Sequence, residues 1–562
     1  MGALVVMGVL VGGACSSGTS TTSTPSTTAA AGAASSSTTA AGKGSAEGDG
    51  TPPASVGPSQ LTGELTITNG FKPEVNGFPF QNYGNDKGYT NLTPEEVRRF
   101  FGDAVCASTA GGTCELTPPA KQWMEATNEG MAGGHCEGMA ALAILMYKGQ
   151  IKLEDLLPGV PNAFEAKIEG NEKLAKEIAY WFATQAIRPA APEINTLKPS
   201  EVVAKLRESF APEATDSYTI GIYKFEDGKK KEGHAITPYG IVDKGNNTFE
   251  IAVYDNNFPG QARAVVVDGT AEKWTYSAAA DPSQPESPYE GGAETFTLTL
   301  APSNARLGKL ICPFCEGGGP AGFAKGAAAA QGAGEVGELY LSDAAGAGGV
   351  VLTITDLDGA PLPGVVVIDQ KNNVDDDAAP VIQVPLDKPF RVTIDGTALK
   401  SAVSTDLTLI GPLFDNYIDN INLDPGQVDI AEFNPLTDTV SYETKANESP
   451  DIGLGFSTDA ADYGFAVGGV DLPSGGRIEV KLDQATGQLS VKNAAADPGT
   501  YAFIMERIDE NGEDEFTNDD VTLEAGGSLV VEYAKWTDNS QKLDANVATA
   551  GGESSPLELP DE

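Results

Sequence analysis

Two histidines, His135 and His234, occur in the 562 residues, so any imidazole base in this chain is one of them. His135 adjoins Cys136, and consecutive residues on a helix point in different directions, which makes it a poor proton acceptor for that thiol. His234 remains. The run Gly133-Gly134-His135-Cys136-Glu137-Gly138-Met139 sets the thiol at the start of an apolar helix, behind two glycines that permit close approach of backbone or ligand. A helix N-terminus favours thiolate over thiol, and a thiolate beside an imidazole is a nucleophile for acyl carbon. His234 opens the run HAITPYGIV, which an Asp-Lys-Gly-Asn-Asn turn returns as FEIAVYD. A turn centred near residues 245 and 246 puts Asp255 opposite Ile236 and Asn257 opposite His234, and side chains two apart share a face. Either Asp255 or Asn257 then accepts the imidazole N–H and fixes the tautomer, with Asp255 the preferred third member beside Cys136 and His234.

These residues need helices first and strands after them. Thr93-Pro94-Glu95-Glu96 carries a capping residue, a proline at the first helical position and a Glu that closes a capping box, predicting a helix through Phe101. Helical spacing recurs over Glu172 to Ala186 and Ser200 to Phe210, and the segment Cys136 to Tyr147 is apolar nearly all round, as a buried helix is. From Tyr218 the pattern changes to strands: Tyr218 to Phe225, His234 to Val242, Phe249 to Tyr254, Ala262 to Val267 and Thr295 to Leu300. Segregated helices and antiparallel strands make an α+β domain. Beyond Val350 only short alternating runs occur, among them Phe390 to Ile394, Ile478 to Leu482 and Ser528 to Tyr533, which predict two all-β sandwich-like modules. The boundaries expected are 61–310 for the α+β domain, 311–340 for a Gly/Ala linker, 341–447 and 448–537 for the β modules, and 538–562 for an acidic disordered tail.

Composition narrows the setting. The formal net charge of −43, from 36 Lys+Arg against 79 Asp+Glu, argues against nucleic acid, whose phosphates call for clustered cations. The acid reads as a soluble surface; Asp356-Leu357-Asp358-Gly359 and Asp375-Asp376-Asp377 are the best support for calcium, yet neither follows a full calcium-loop pattern. No cofactor motif is present. Residues 1–15 form a short apolar run ending in Cys15, which looks like a bacterial lipoprotein signal with Cys15 as the acylated residue. Residues 16–60 are almost wholly Ser, Thr, Ala, Gly and Pro and read as a disordered tether. The lipid at Cys15 would be the only membrane contact, and the location extracytoplasmic. Cys106 and Cys114 flank a Gly-rich loop that a disulfide could close, and Cys312 and Cys315 form Cys-Pro-Phe-Cys, read as a second structural disulfide. Cys136 is the thiol left over.

Together, Gly-Gly before a helix-capping Cys136, Gly-Met-Ala after it, Gly-His-Ala at the start of a strand and Tyr-Asp-Asn-Asn at the end of its partner resemble the papain-like cysteine peptidase superfamily over roughly residues 75 to 300. The resemblance implies a papain-like fold, attack by Cys136 on the acyl carbon of a protein or peptide, proton transfer by His234, and an acyl-enzyme hydrolysed by water. The Cys136 N–H would form half of an oxyanion hole. That family usually supplies the other half from a Gln shortly before the nucleophile. Gly130 stands six residues back here, leaving Asn128 and Gln122 as amide donors, of which Asn128 is favoured. A transglutaminase-like acyltransferase with the same Cys, His, Asp order is the second expectation, and a surface adhesin or scaffold the third.

Overall fold

The computed structural model describes residues 60–109, 112–191, 196–226, 228–278, 288–315, 336–342, 349–372, 379–458, 460–468, 472–509, 512–536 and 542–561. Cys15, most of the Ser/Thr/Ala tether, most of the Gly/Ala linker and Asp375 to Asp377 lie outside these residues. Among the described residues no helix is long and apolar enough to cross a membrane.

The helices start where their sequences dictate. The Thr93 capping box begins the helix Pro94–Phe101, with the Glu96 side chain returning to the Thr93 N–H. Cys136–Tyr147 is helical over the predicted span and buried from Cys136 to Leu145, as an all-round apolar sequence requires. It packs against the helix Glu172–Ala183 and against the sheet strands Tyr218–Glu226 and Lys229–Gly245. The helix Pro199–Ser209 starts one residue before the span expected from Ser200, whose hydroxyl bonds Glu272. A helix that the pattern did not single out, Pro118–Glu129, follows Thr117 and packs on the β-rich half of the molecule.

The sheet beneath the helices is antiparallel, with neighbours in the order Leu298–Pro302, Tyr218–Glu226, Lys229–Gly245, Thr248–Asp255, Arg263–Asp268, Lys273–Tyr276 and Tyr289–Gly292, and a short Ile67–Thr68 strand paired to Lys229–Gly245. This gives an α+β arrangement. Both expected disulfides are present, Cys106–Cys114 and Cys312–Cys315. The second carries Phe314 into the aromatic cluster of Phe101 and Trp123, and the Phe314 carbonyl accepts the Leu413 N–H of the β-rich half at 2.9 Å.

Among the described residues the C-terminal half is a two-layer antiparallel sandwich of two nine-stranded sheets. Successive hairpins alternate between the layers: Val403–Gly411 with Phe414–Leu423 in one, Val428–Asn434 with Thr439–Glu443 in the other, then Asp451–Ser457 with Asp462–Gly468 back in the first. One hydrophobic core runs from Leu339 to Leu559. The boundary expected at 447/448 is therefore no break, since strands on either side of it pair directly. Nor is the C-terminus a tail: Lys542–Ala548 and Ser554–Pro560 add an edge hairpin. The two halves also share apolar packing, for Tyr340, Ile368, Val381 and Ile410 of the sandwich close the core of the helical layer.

Gly138 sets how closely the two central helices approach: a Cβ there would lie 2.0 Å from the Ile178 carbonyl oxygen. Gly138→Ala is expected to force these helices apart and cost about 1–3 kcal/mol, read from urea unfolding midpoints, whereas Glu172→Ala on the exposed end of the partner helix should change stability by less than about 0.5 kcal/mol.

Candidate active site

The Cys136 thiol sits on the first residue of its helix, wholly buried, and is the free cysteine among the described residues. The strand Lys229–Gly245 lies across it, so that the Ala235 N–H donates to the sulfur at 3.2 Å. One residue earlier, His234 donates from Nε2 to Asp255 Oδ1 at 2.8 Å, with both side chains fully buried. The partner strand delivers Asp255 opposite Ile236, the pairing expected from the hairpin. Asp255 is fixed in turn by the Tyr276 hydroxyl on Oδ2 and by the Asn257 backbone N–H on Oδ1 at 2.8 Å. Of the two candidates for the third position, Asp255 thus meets the imidazole, and Asn257 assists through its main chain.

With Nε2 committed, Nδ1 is the nitrogen left for the sulfur; it has no nitrogen or oxygen partner among the described residues. Burial alone lowers the pKa of an imidazole, but the Asp255 carboxylate and the neighbouring Cys136 sulfur outweigh it and carry His234 up to about 10. Burial likewise pushes the Asp255 carboxyl up, yet His234, Tyr276 and the Asn257 N–H together hold it below its usual range. His135 behaves in the opposite way. Its Nδ1 donates to the Tyr83 carbonyl at 2.7 Å, its Nε2 meets the Asn91 amide at 2.9 Å, the ring stacks on Tyr83, and burial lowers its pKa to about 4. It is a neutral packing residue.

The amide beside the nucleophile is Asn82, which the spacing rules did not find. Its Nδ2 and the Cys136 backbone N–H converge on one oxygen, the carbonyl of Asn372, at 2.8 and 3.3 Å. Asn82 is held by the His135 N–H on its Oδ1 at 2.7 Å and by its own N–H on the Asn256 carbonyl at 3.0 Å. Gly134 makes room for this: a Cβ there would stand 2.4 Å from the Asn372 oxygen and 2.5 Å from Asn82 Nδ2. Asn128, favoured from sequence for this role, is elsewhere. Both ends of its amide are occupied by the Leu92 backbone, with N–H to Oδ1 at 2.9 Å and Nδ2 to carbonyl at 3.0 Å. Gln122 lines a cleft of about 200 Å³ that also reaches Asn372. Asn82 precedes Cys136 in a loop far outside the window before the nucleophile, and no local pattern marks it.

Two further buried groups shape the site. Asn256 donates its amide to the Cys136 and Ala235 carbonyls at 3.1 and 3.0 Å, locking the helix start to the histidine strand. Glu137 lies against Arg306, Thr219 and Lys371, the last at 3.0 Å; burial raises a carboxyl, but Lys371 and Arg306 bring this one down to about 2. Among the described residues no group of three potential ligands is arranged for a metal, and Asp356 spends its carboxylate on the backbone N–H groups of Asp358 and Ala360. A thiol, an imidazole oriented by a carboxylate, and two N–H donors aimed at one carbonyl oxygen are together what attack on an acyl carbon calls for. Comparison of the chain with protein-family models, with curated proteins and with solved structures gives no match in any of the three, so the functional reading rests on this geometry.

The two histidines are expected to titrate in opposite senses. In imidazole NMR spectra His135 stays neutral down to about pH 4, while His234 stays protonated through pH 8 and loses its proton near 10. Taking an unfolded value of about 6.5 for both, His135 withdraws stability as pH falls from about 6.5 towards 4, and the contribution of His234 is complete below about 6.5 and lost as pH rises through 10. A neutral His234 at pH 7 would contradict the ion-pair geometry.

Proposed function

We propose that the chain is a thiol hydrolase, a peptidase or amidase working outside the cytoplasm through Cys136, His234 and Asp255. The observation that carries the reading is the shared grip of Asn82 Nδ2 and the Cys136 N–H on a single carbonyl oxygen beside the thiol. That oxygen gains negative charge when the carbon is attacked, so donors beside it bind it more strongly in the transition state than in the neutral carbonyl, and one such donor is worth roughly 10²–10³ in rate. His234, protonated by its contact with Asp255, holds Cys136 as thiolate and then gives its proton to the leaving amine; water afterwards releases the acyl group. Asn82, Asn256 and Tyr276 are positioning and charge-stabilising partners in this scheme. The helices-then-sheet order and the resemblance of residues 75 to 300 to papain-like peptidases support the same reading. The two disulfides favour an oxidising compartment, in keeping with an exported, Cys15-anchored protein.

Cys136 is wholly buried with the Asn372 carbonyl held over it, so the test uses Gln185→Ala, which releases both backbone ties of Lys371 and leaves the Glu137 charge cluster intact. In that background iodoacetamide is expected to alkylate Cys136 at pH 7 about 100-fold faster than when His234→Ala is added, within the range by which a positioned imidazole acts. Mass spectrometry of the Cys136 peptide gives the two rates, and equal rates would remove the thiol-hydrolase reading.

A further inference from the structure

The residues that cover the thiol run through it as a peptide substrate would. The Asn372 N–H donates to the Gly233 carbonyl at 3.0 Å, immediately before His234, and its carbonyl oxygen lies between the two oxyanion donors. One residue earlier, the Lys371 backbone is gripped at both ends by Gln185, N–H to Oε1 at 2.8 Å and Nε2 to carbonyl at 3.3 Å. The Lys371 side chain is buried and ends on Glu137 at 3.0 Å. Asp369 is tied to Lys230 at 3.3 Å, and the Tyr223 hydroxyl donates to its carbonyl at 3.3 Å. Gln185, Lys371, Glu137 and His234 are all buried. A segment that only capped the site would have no need to set its carbonyl between the groups that stabilise an oxyanion.

We propose that the chain is its own substrate and cuts itself between Asn372 and Asn373, with Glu137 selecting lysine one residue before the asparagine that is attacked. This rests on the thiol-hydrolase reading. The Cys136 sulfur bonds to the Asn372 carbonyl carbon, and the negative charge passes to the oxygen held by Asn82 and the Cys136 N–H. The carbon–nitrogen bond to Asn373 breaks as His234 gives its proton to that nitrogen, leaving a thioester and a new amino terminus. Water then attacks the thioester and passes one proton to His234, the carbon–sulfur bond breaks to return the Cys136 thiolate beside protonated His234, and the acid formed at Asn372 gives up its remaining proton as the new amino terminus takes one up. Lysine one residue before the attacked carbonyl is, by the same contact with Glu137, preferred in any other polypeptide that the site accepts.

Purified full-length protein incubated at pH 7 is expected to yield, after denaturation, one piece ending at Asn372 and one beginning at Asn373, identified by intact mass and terminal sequencing. Denaturation is needed because Val336–Leu341, Val351–Thr355 and Val366–Ile368, upstream of the cut, are hydrogen-bonded to strands downstream of it. Cys136→Ala should remain whole, as should Cys136→Ser, which serves if the alanine variant fails to fold by circular dichroism. Asn82→Ala should slow the cut about 100-fold, and Asn372→Pro, which removes the N–H held by Gly233, should abolish it. Wild-type chain that stays whole, is cut elsewhere, or is cut equally in Cys136→Ala overturns the proposal. If the chain stays whole while His234-dependent alkylation of Cys136 persists, self-cleavage alone falls; if both are absent, the hydrolase reading falls with it.

Discussion

A carboxylate without water, Glu137, joins the parts of this molecule. It occupies the second position of the nucleophile helix, and its charge is balanced by Arg306 from the end of the α+β half and Lys371 from the sandwich. Removing one partner from a buried ionic cluster costs about 3–5 kcal/mol, because the remaining charge stays in a medium that solvates it poorly. The first turn of the nucleophile helix, the short helix Ser303–Leu307 that carries Arg306 and the arm of the sandwich that carries Lys371 are thereby held in one arrangement. Cys136 is the neighbouring residue, so the placement of its backbone N–H depends on the same cluster.

The sheet supplies the other half of the geometry. His234 and Asp255 lie on adjacent strands in a region without solvent, where a proton shared between imidazole and carboxylate is little screened. Their contact depends on register, since a slip of one residue would turn His234 to the far face. Asn256, between the helix start and the histidine strand, couples that register to the position of the thiol.

Much of this was legible in the sequence where the signals are local. The Thr93 capping box and the unbroken apolar run after Cys136 define helices whose limits match the expected ones, because caps and burial act within a turn or two. The pairing of Asp255 with Ile236 was also expected, but by compensation. The turn lies one residue later, at Asn246 and Asn247, both with positive φ, and two irregularities, at Pro238/Gly240 and Asp243/Gly245, return the strands to the anticipated register. Pro238 has no N–H to give to the ladder, which accounts for one of them. Asn82 was not legible, since only the folded chain brings its loop to Cys136. The continuity of the sandwich was hidden for a related reason: alternation along a strand states which face is buried and nothing about which strand lies beside it.

The weave of the sandwich has a mechanical meaning. Val336–Leu341 lies between Val381–Pro385 and Val403–Gly411, and Val351–Thr355 pairs with Phe390–Asp395 in the opposite layer. Tension applied along the chain would cross the neighbourhood of Asn372 through rows of inter-strand hydrogen bonds in both sheets. Those rows, more than backbone continuity at that point, would set the load at which the two halves part.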